Sequence, residues 1–392
     1  MNLVTTKTGL DSRAASGRIR SVDILRGLIM VLMAIDHVRV YSGLPAGGND
    51  VGIFLTRWIT NFSAPGFAFF AGTGAYLYGQ KLKNTDSLSR YLFTRGLFIV
   101  ILELTLLRFG WTFNFSYSSF TLAGVLWMLG WCMVIMAVMV RMKPVTVGII
   151  GLAIIAFQQV FRLVPLVIPP AMRQHFGWFW EFIYSSRLDS LPGIAVLYVI
   201  VPWIGVMAAG YGFGKILLLP QDTRHKACRM IGIAAILVYL VVGTIVILMQ
   251  PHKEGSPPFI FQLLRQQKYP ASQLFLLMTL GPLILLIPWA EKARGFVART
   301  LDVFGRVPLF FYIMHIFLIH GTALAANWLI KGSTHQEWYS TAPFTEIDKA
   351  DQWALVELYI VYIIDLIILY FFCDWYADLK SRHRDNKWLR YV

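Results

Sequence analysis

Long runs of hydrophobic residues alternate with short polar connections along the chain, and residues 145–168 and 231–249 are two clear examples. A helix needs about 20 apolar residues to cross the hydrocarbon core of a bilayer. A transmembrane β-barrel would instead show alternating segments of about ten residues. The pattern predicts about ten transmembrane helices, at 24–42, 56–80, 91–109, 115–140, 145–168, 192–214, 230–250, 271–290, 307–330 and 354–376. The predicted fold class is an all-α polytopic membrane protein.

Composition supports this class, since 57% of the 392 residues are hydrophobic and 14% are charged. Soluble domains average about 25% charged residues. The spans leave no room for a separate soluble domain. We therefore predict a cytoplasmic N-terminal segment at 1–23, a single transmembrane domain at 24–376 and a basic cytoplasmic tail at 377–392. The first twenty residues lack an apolar core and a cleavage site, so the first span is expected to act as an uncleaved anchor.

The distribution of basic residues predicts the orientation in the membrane. Twenty-four of the 35 Lys and Arg residues fall on the side that carries both termini. Cytoplasmic connections carry this excess, so both termini are predicted to face the cytoplasm from the cell (inner) membrane. The long connections 169–191 and 331–353 are then outside. The net charge of +14 is explained by orientation, and nucleic-acid binding is not predicted.

Ionisable residues inside the predicted spans point to function, because each is costly in a bilayer unless it is paired or hydrated. They are Asp36, His37, Arg39, Glu103, Arg108, His315, His320, Glu357 and Asp365. At a rise of about 1.5 Å per residue, Asp36, His37, Glu103, His315 and Asp365 all fall between the midplane and the outer side. Polar groups at one depth on several spans predict a shared polar cavity.

Structural roles compete with this interpretation. Asp36 and Arg39 lie three residues apart on one helical face, which favours an ion pair. A single histidine at a helix contact, such as His37, packs or binds a neighbour about as often as it catalyses. His315 and His320 project about 140° apart, so at most one of them faces the same cavity as His37.

The same two histidines are five residues apart, which is not the spacing of an HExxH zinc helix. No metal site is predicted. The five-residue offset of Glu103 and Arg108 also makes their direct pairing doubtful.

Six sequence blocks carry a family resemblance. They are RIRSVDILRG (18–27), MAIDHVR (33–39), APGFAFFAGTG (64–74), KYP (268–270), LMTLGP (277–282) and FGRVPLFFYIMH (304–315). Together and in this order they resemble the transmembrane catalytic domain of heparan-α-glucosaminide N-acetyltransferase. They are closer still to its bacterial relatives, once called DUF1624. The likeness covers essentially the whole chain.

The resemblance implies an integral membrane acyltransferase. The donor would be cytosolic acetyl-CoA or another acyl-CoA, a co-substrate rather than a tightly bound cofactor. The acceptor would be an extracytoplasmic sugar or glycoconjugate hydroxyl or amine. The candidates for the CoA site are Arg20, Asp23, Arg26 and Arg306, and the candidates for catalysis are His37, Asp36, Arg39, Glu103 and His315.

One difference from the animal enzyme concerns its proposed catalytic histidine, which lies in the outer loop after the first span. Here the corresponding loop, Ser42–Leu55, contains no histidine. His37 is the nearest candidate for that role.

Acyl transfer from a thioester needs few protein side chains. A neutral imidazole can take the acceptor's proton, and Asp36 or Glu103 could orient the ring. Arg39 or Tyr312 could donate to the thioester oxyanion. Direct transfer and a covalent acetyl-imidazole relay both remain open.

A proton-coupled transporter or flippase would use the same intramembrane Asp, Glu and His residues. It is the rival function class. The sequence also leaves a homo-oligomer open.

Overall fold

A computed structural model describes residues 19–47, 50–184, 191–251 and 255–383. The described chain is built almost wholly from helices. They are α1 (Arg20–Tyr41), α2 (Val51–Ile59), α3 (Ser63–Leu82), α4 (Thr85–Leu102), α5 (Arg108–Thr112), α6 (Val125–Met139), α7 (Pro144–Phe157), α8 (Val164–Val167), α9 (Pro170–Ile183), α10 (Trp203–Leu217), α11 (Gln221–Leu248), α12 (Phe259–Leu264), α13 (Gln273–Leu285), α14 (Ile287–Lys292), α15 (Phe296–Arg306), α16 (Pro308–Lys331) and α17 (Leu355–Arg382). Most of the predicted 1–23 segment and residues 384–392 of the predicted tail lie outside the described residues.

Short helical turns of other types join some of these helices. A 3₁₀ turn at Thr60–Phe62 joins α2 to α3, and a π-helical turn at Glu103–Leu107 joins α4 to α5. Further 3₁₀ turns lie at Gln158–Arg162 and Gln336–Tyr339.

Five helical stretches in the described chain are long and apolar enough to cross a membrane. They are Pro144–Arg162, Gln221–Leu248, Gln273–Lys292, Pro308–Lys331 and Leu355–Arg382. They confirm the helical membrane class. The full count of about ten spans and the orientation of the termini stay predictions.

Two predicted spans, 115–140 and 192–214, do not begin as helices. Their first parts contain the strands β1 (Thr121–Ala123) and β2 (Ile194–Val196), which pair in parallel with each other. The all-α prediction is wrong in this detail, because a short apolar run does not distinguish a buried strand from a helix. The pairing satisfies backbone groups that non-helical segments would otherwise leave open in an apolar environment.

Helix α1 lies at the centre of the packing and contacts α3, α14, α15, α16 and α17. Its contact with α15 is the closest. A Cβ on Gly27 would overlap the carbonyl oxygen of Leu301, and a Cβ on Gly305 would overlap that of Asp23. Only glycine allows the two backbones to approach this closely. The glycine that ends the RIRSVDILRG block is therefore a packing requirement.

The connection between α16 and α17 folds over the C-terminal end of α1. The Tyr339 hydroxyl donates to the carbonyl of Tyr41 at 3.0 Å, and the Asn327 amide donates to the Tyr339 hydroxyl at 2.8 Å. The Trp353 indole donates to Asn327 Oδ1 at 2.9 Å. These bonds hold the connection against the end of α1 that carries the predicted catalytic residues.

Candidate functional site

Asp36, near the end of α1, is held by two arginines. Arg39 Nε donates to Asp36 Oδ1 at 2.9 Å, and Arg57 Nη1 lies 3.6 Å from Asp36 Oδ2. Arg39 Nη1 also donates to the carbonyl of Leu44 at 2.6 Å. The ion pair between Asp36 and Arg39 that the spacing favoured is confirmed. Arg57, on α2, was missing from the sequence prediction.

His37, the next residue on α1, contacts a histidine from α16. Its Nδ1 lies 2.6 Å from Nε2 of His315, and the two rings stack with centroids 4.8 Å apart. His315 is fully buried, and its Nδ1 lies 3.1 Å from the carbonyl oxygen of Phe311. The sequence allowed one of the two α16 histidines to share a cavity with His37, and the structure selects His315. His320 instead contacts the Gly110 carbonyl oxygen at 2.9 Å.

These bonds assign the protons of the imidazole pair. A carbonyl oxygen only accepts, so His315 Nδ1 carries a proton that it donates to Phe311. A neutral His315 then presents an unprotonated Nε2, to which His37 Nδ1–H donates. This arrangement leaves Nε2 of a neutral His37 unprotonated. The two histidines thus form a directed hydrogen-bond chain that ends at the unprotonated Nε2 of His37.

Glu103 is brought to the same region by the π-helical turn at Glu103–Leu107. Such turns occur frequently at functional sites because they redirect a side chain within a helix. Glu103 is 2% exposed, and its carboxylate accepts from the backbone N–H of Gly124. Its Oε2 has no hydrogen-bond partner among the described residues. An acceptor atom is therefore available for a ligand.

The five-residue offset made a direct pair between Arg108 and Glu103 doubtful, and the described structure has no such pair. Arg108 donates instead to the backbone carbonyls of Phe120, Asn114 and Ser116 and is 1% exposed. Its role is to hold the connection after α5.

A cavity of about 200 Å³ gathers most of these groups, and we call it the histidine cavity. Its polar lining consists chiefly of Asp36, His37, Arg39, Arg57, Glu103, Trp111, Tyr198, Lys268, Tyr269 and Tyr312. Four of the five predicted catalytic residues line it, and the fifth, His315, supports His37 from behind. The shared polar cavity that the sequence predicted is present, but Asp365 does not line it and instead accepts from the Thr322 hydroxyl at 3.1 Å.

The sequence prediction missed Lys268, although it lies in the KYP block. Lys268 Nζ lies 5.3 Å from the ring centroid of Tyr269 and 5.9 Å from that of Tyr198. Burial lowers the pKa of the Lys268 ammonium. The signal in the sequence was a lysine on the side predicted to be poor in basic residues.

A second cavity, of about 370 Å³, lies at the end of the bundle where α1 begins. We call it the basic cavity, since four cations line it: Arg26, Arg95, Arg306 and Lys380. Tyr78 and Tyr91 also line it, and Arg95 donates to the Tyr91 hydroxyl at 2.8 Å. The predicted candidates Arg26 and Arg306 are brought together here. Arg95 and Lys380 come from other helices and were not singled out.

The other two candidates for the CoA site lie elsewhere. Arg20 Nη1 donates to the carbonyl of Ala293 at 2.8 Å, and Asp23 lies 3.8 Å from Arg26 Nη1. Neither lines the basic cavity. Asp23 therefore orients Arg26, whereas Arg20 ties α1 to the segment before α15.

The two cavities adjoin each other. Phe67 of α3 and Tyr312 of α16 line both of them. The basic cavity and the histidine cavity thus meet at two aromatic side chains.

This fold and site define a helical membrane protein with a basic cavity at one end, adjoining a cavity lined by acid–base residues. The chain belongs to the family of the heparan-alpha-glucosaminide N-acetyltransferase catalytic domain, whose family model matches residues 18–249. No curated protein matches it. The match confirms the family resemblance over residues 18–249, which contain three of the six blocks, and supports a membrane transferase of the acetyltransferase type. It includes Asp36, His37 and Glu103, whereas Lys268 and His315 follow it.

Proposed function

We propose that the protein transfers an acyl group from acyl-CoA in the basic cavity to an acceptor in the histidine cavity. The observation that carries the proposal is the adjacency of the two cavities across Phe67 and Tyr312. A transferase acting across a membrane needs a donor site and an acceptor site that meet at the reacting atom. The proposed acyl group is acetyl, in keeping with the family.

The basic cavity suits the phosphate groups of CoA. Arginine binds phosphate through several N–H donors in one plane, and lysine binds it as a point charge. Arg26, Arg95 and Arg306 supply the first kind of contact and Lys380 the second. With the basic end in the cytoplasm, as the charge distribution predicts, the nucleotide part enters from the cytosol. The thioester then points towards Tyr312.

His37 is the proposed general base. Its Nε2 takes the proton as the O–H or N–H bond of the acceptor breaks and a new bond forms to the acyl carbon. The C–S bond then breaks, and the CoA thiolate leaves with the proton that the imidazolium returns. His315 accepts the Nδ1–H bond of His37 throughout and so fixes the orientation of the ring.

Tyr312 and Trp111 are the proposed oxyanion donors. Tyr312 lines both cavities, so its hydroxyl lies where the thioester would arrive. Trp111 lines the histidine cavity, and its Nε1–H is buried without an acceptor among the described residues. A hydrogen-bond donor that stabilises the negative charge developing in the transition state raises turnover by about 10²–10³-fold. Arg39 is less suited, because Asp36 and the Leu44 carbonyl already bind its guanidinium.

The test is acyl transfer by the purified protein in lipid nanodiscs. Acetyl-CoA labelled in the acetyl group is incubated with amino sugars and neutral sugars, and the products are separated. Label on an acceptor, formed by the wild type and greatly reduced in His37→Ala, supports the proposal. His383→Ala, which removes an exposed histidine at the end of α17, is the matched control.

The rival class predicts a different result. Uptake of an unmodified solute into proteoliposomes, without label on any acceptor, would show a transporter and overturn the proposal. Label that accumulates on the protein and then passes to an acceptor would instead establish the acetyl-imidazole relay.

A further inference from the structure

We infer that an anionic phospholipid binds through its phosphate group in a third cavity, apart from the two cavities of the proposed acyl transfer. This cavity has a volume of about 370 Å³ and lies where the connection between α3 and α4 meets the connection between α6 and α7. We call it the turn cavity. Among the described residues, none that lines it also lines the basic cavity or the histidine cavity.

The charged lining of the turn cavity is positive. Lys83, Arg141 and Lys143 line it, whereas no Asp or Glu of the described chain does. Arg141 Nη2 lies 3.1 Å from Oδ1 of Asp86, which partly neutralises it. Lys83 and Lys143 form no ion pair within the part of the chain that the structure describes. Two of the three cations are therefore available for an anion.

Backbone donors also reach this cavity. Helix α7 begins in it at Pro144, and no described side chain caps the N-terminus of α7. The first N–H groups of a helix lack partners within the helix and attract anions. The N-terminus of α4 differs, because Asn84 Oδ1 accepts from the backbone N–H of Ser87 at 3.0 Å. The open end of α7 therefore adds to the attraction of the three cations for a phosphate.

The surroundings of the turn cavity favour a lipid over a soluble phosphate. Helix α7 opens the stretch Pro144–Arg162, which is long and apolar enough to cross a membrane. Val145, Ile149 and Leu152 are 51%, 62% and 61% exposed, and their spacing puts them on one face of α7. A lipid whose phosphate lies beside Lys143 can therefore extend its acyl chains along this face.

The positive-inside rule alone would place basic residues on this side of the protein. It requires charge near the membrane surface, but it does not require cations from two separate connections to converge on one cavity. The lipid site and the orientation rule therefore predict different effects for lysines inside and outside the turn cavity.

The test is native mass spectrometry of the detergent-solubilised full-length protein, titrated with phosphatidylglycerol or with phosphatidylcholine. The dissociation constant of the first bound lipid is measured. A cation near an anionic lipid strengthens binding by about fivefold. The double variant Lys83→Met, Lys143→Met should thus weaken phosphatidylglycerol binding by about 25-fold and leave phosphatidylcholine binding nearly unchanged. Asp86→Asn, which frees Arg141, should strengthen phosphatidylglycerol binding by about fivefold.

The matched control is the double variant Lys226→Met, Lys292→Met. These lysines are exposed, lie on the side predicted to be cytoplasmic and do not line the turn cavity. The control makes the same change in net charge and should bind phosphatidylglycerol as the wild type does. Lys83→Arg with Lys143→Arg should also keep the wild-type affinity. All the substituted side chains are exposed, so the variants should fold.

Three outcomes would overturn the inference. Equal binding of the two lipids by the wild type shows no anion site, and equal loss in the two double methionine variants shows only a general effect of charge. The third concerns the source of the phosphate, and its probe is glycerol 3-phosphate, titrated by calorimetry. If it binds as tightly as phosphatidylglycerol, the turn cavity takes a soluble phosphate instead of a lipid. None of these measurements depends on acyl transfer, so the proposed function is tested separately.

Discussion

The histidine cavity and the basic cavity hold their charged groups in different ways. In the histidine cavity each predicted catalytic group is tied to another part of the protein: Asp36 to Arg39 and Arg57, and His37 to His315. In the basic cavity Arg26 and Arg306 also have carboxylate partners, Asp23 and Asp302, but their side chains are more open to solvent. Arg306 is the last residue of α15, and its side chain is 33% exposed, against 9% for Arg39.

This difference corresponds to two physical tasks. Proton transfer needs a base held in one orientation by neighbouring groups. Binding a flexible polyphosphate needs positive charge that can adjust to the ligand. The hydrogen-bonded imidazole pair would suit the first task, and the partly exposed arginines of the basic cavity would suit the second. Changes in the histidine cavity should therefore alter turnover, and changes in the basic cavity should alter donor affinity.

The largest expected effect is that of His37→Ala. Removal of the proposed base should lower kcat by about 10²–10⁴-fold and leave donor affinity and the melting temperature nearly unchanged. Turnover and thermal unfolding should be measured on the same preparation. A stable variant with wild-type turnover would exclude His37 as the base.

Arg306→Ala and Arg95→Ala test the opposite prediction for the basic cavity. Each should weaken acetyl-CoA binding by about 1.5–3 kcal/mol, the value of a charged hydrogen bond, while kcat at saturating donor changes little. Calorimetric titration with acetyl-CoA measures the affinity. Arg299→Ala, on an exposed face of α15 outside the cavity, is the control. Equal loss in all three variants would show a general effect of charge at this end of the protein.

A smaller effect is expected from His315→Leu, because His315 acts through His37. Loss of the acceptor for His37 Nδ1–H should lower kcat by about tenfold, which corresponds to a neutral hydrogen bond of about 0.5–1.5 kcal/mol. His315→Gln keeps a side-chain oxygen as acceptor and should recover part of the activity. The assay is single-turnover acyl transfer, with unfolding temperature measured beside it. No difference between the Leu and Gln variants would refute the positioning role.

The last prediction changes no activity and tests which side of the membrane each cavity faces. A cysteine at Ser333 should react with an impermeant maleimide in intact cells, whereas one at Ser381 should react only after permeabilisation. Ser333 follows α16, and Ser381 lies near the end of α17. The reverse labelling would place the basic cavity outside and remove the cytosolic donor from the proposal.

Sequence patterns predicted the local features well. The pairing of Asp36 with Arg39 follows from a three-residue helical spacing, and the divergence of His315 and His320 follows from helical geometry. The same reasoning found His37 and Glu103 as ionisable residues inside predicted spans. It did not find Arg57 or Lys268. Both lie near the outer ends of predicted spans, and the sequence analysis considered only ionisable residues well inside the spans.

The sequence by itself therefore determined the helical membrane class and the family, since these depend on local hydrophobicity and on short sequence blocks. The tertiary structure decided which groups meet. His37 and His315 lie 278 positions apart, and their contact depends on how α1 and α16 pack. The parallel pairing of β1 with β2 and the adjacency of the two cavities likewise depend on tertiary packing. Such contacts depend on the interlocking of distant side chains and on close approaches such as that at Gly27 and Gly305, which no local pattern encodes.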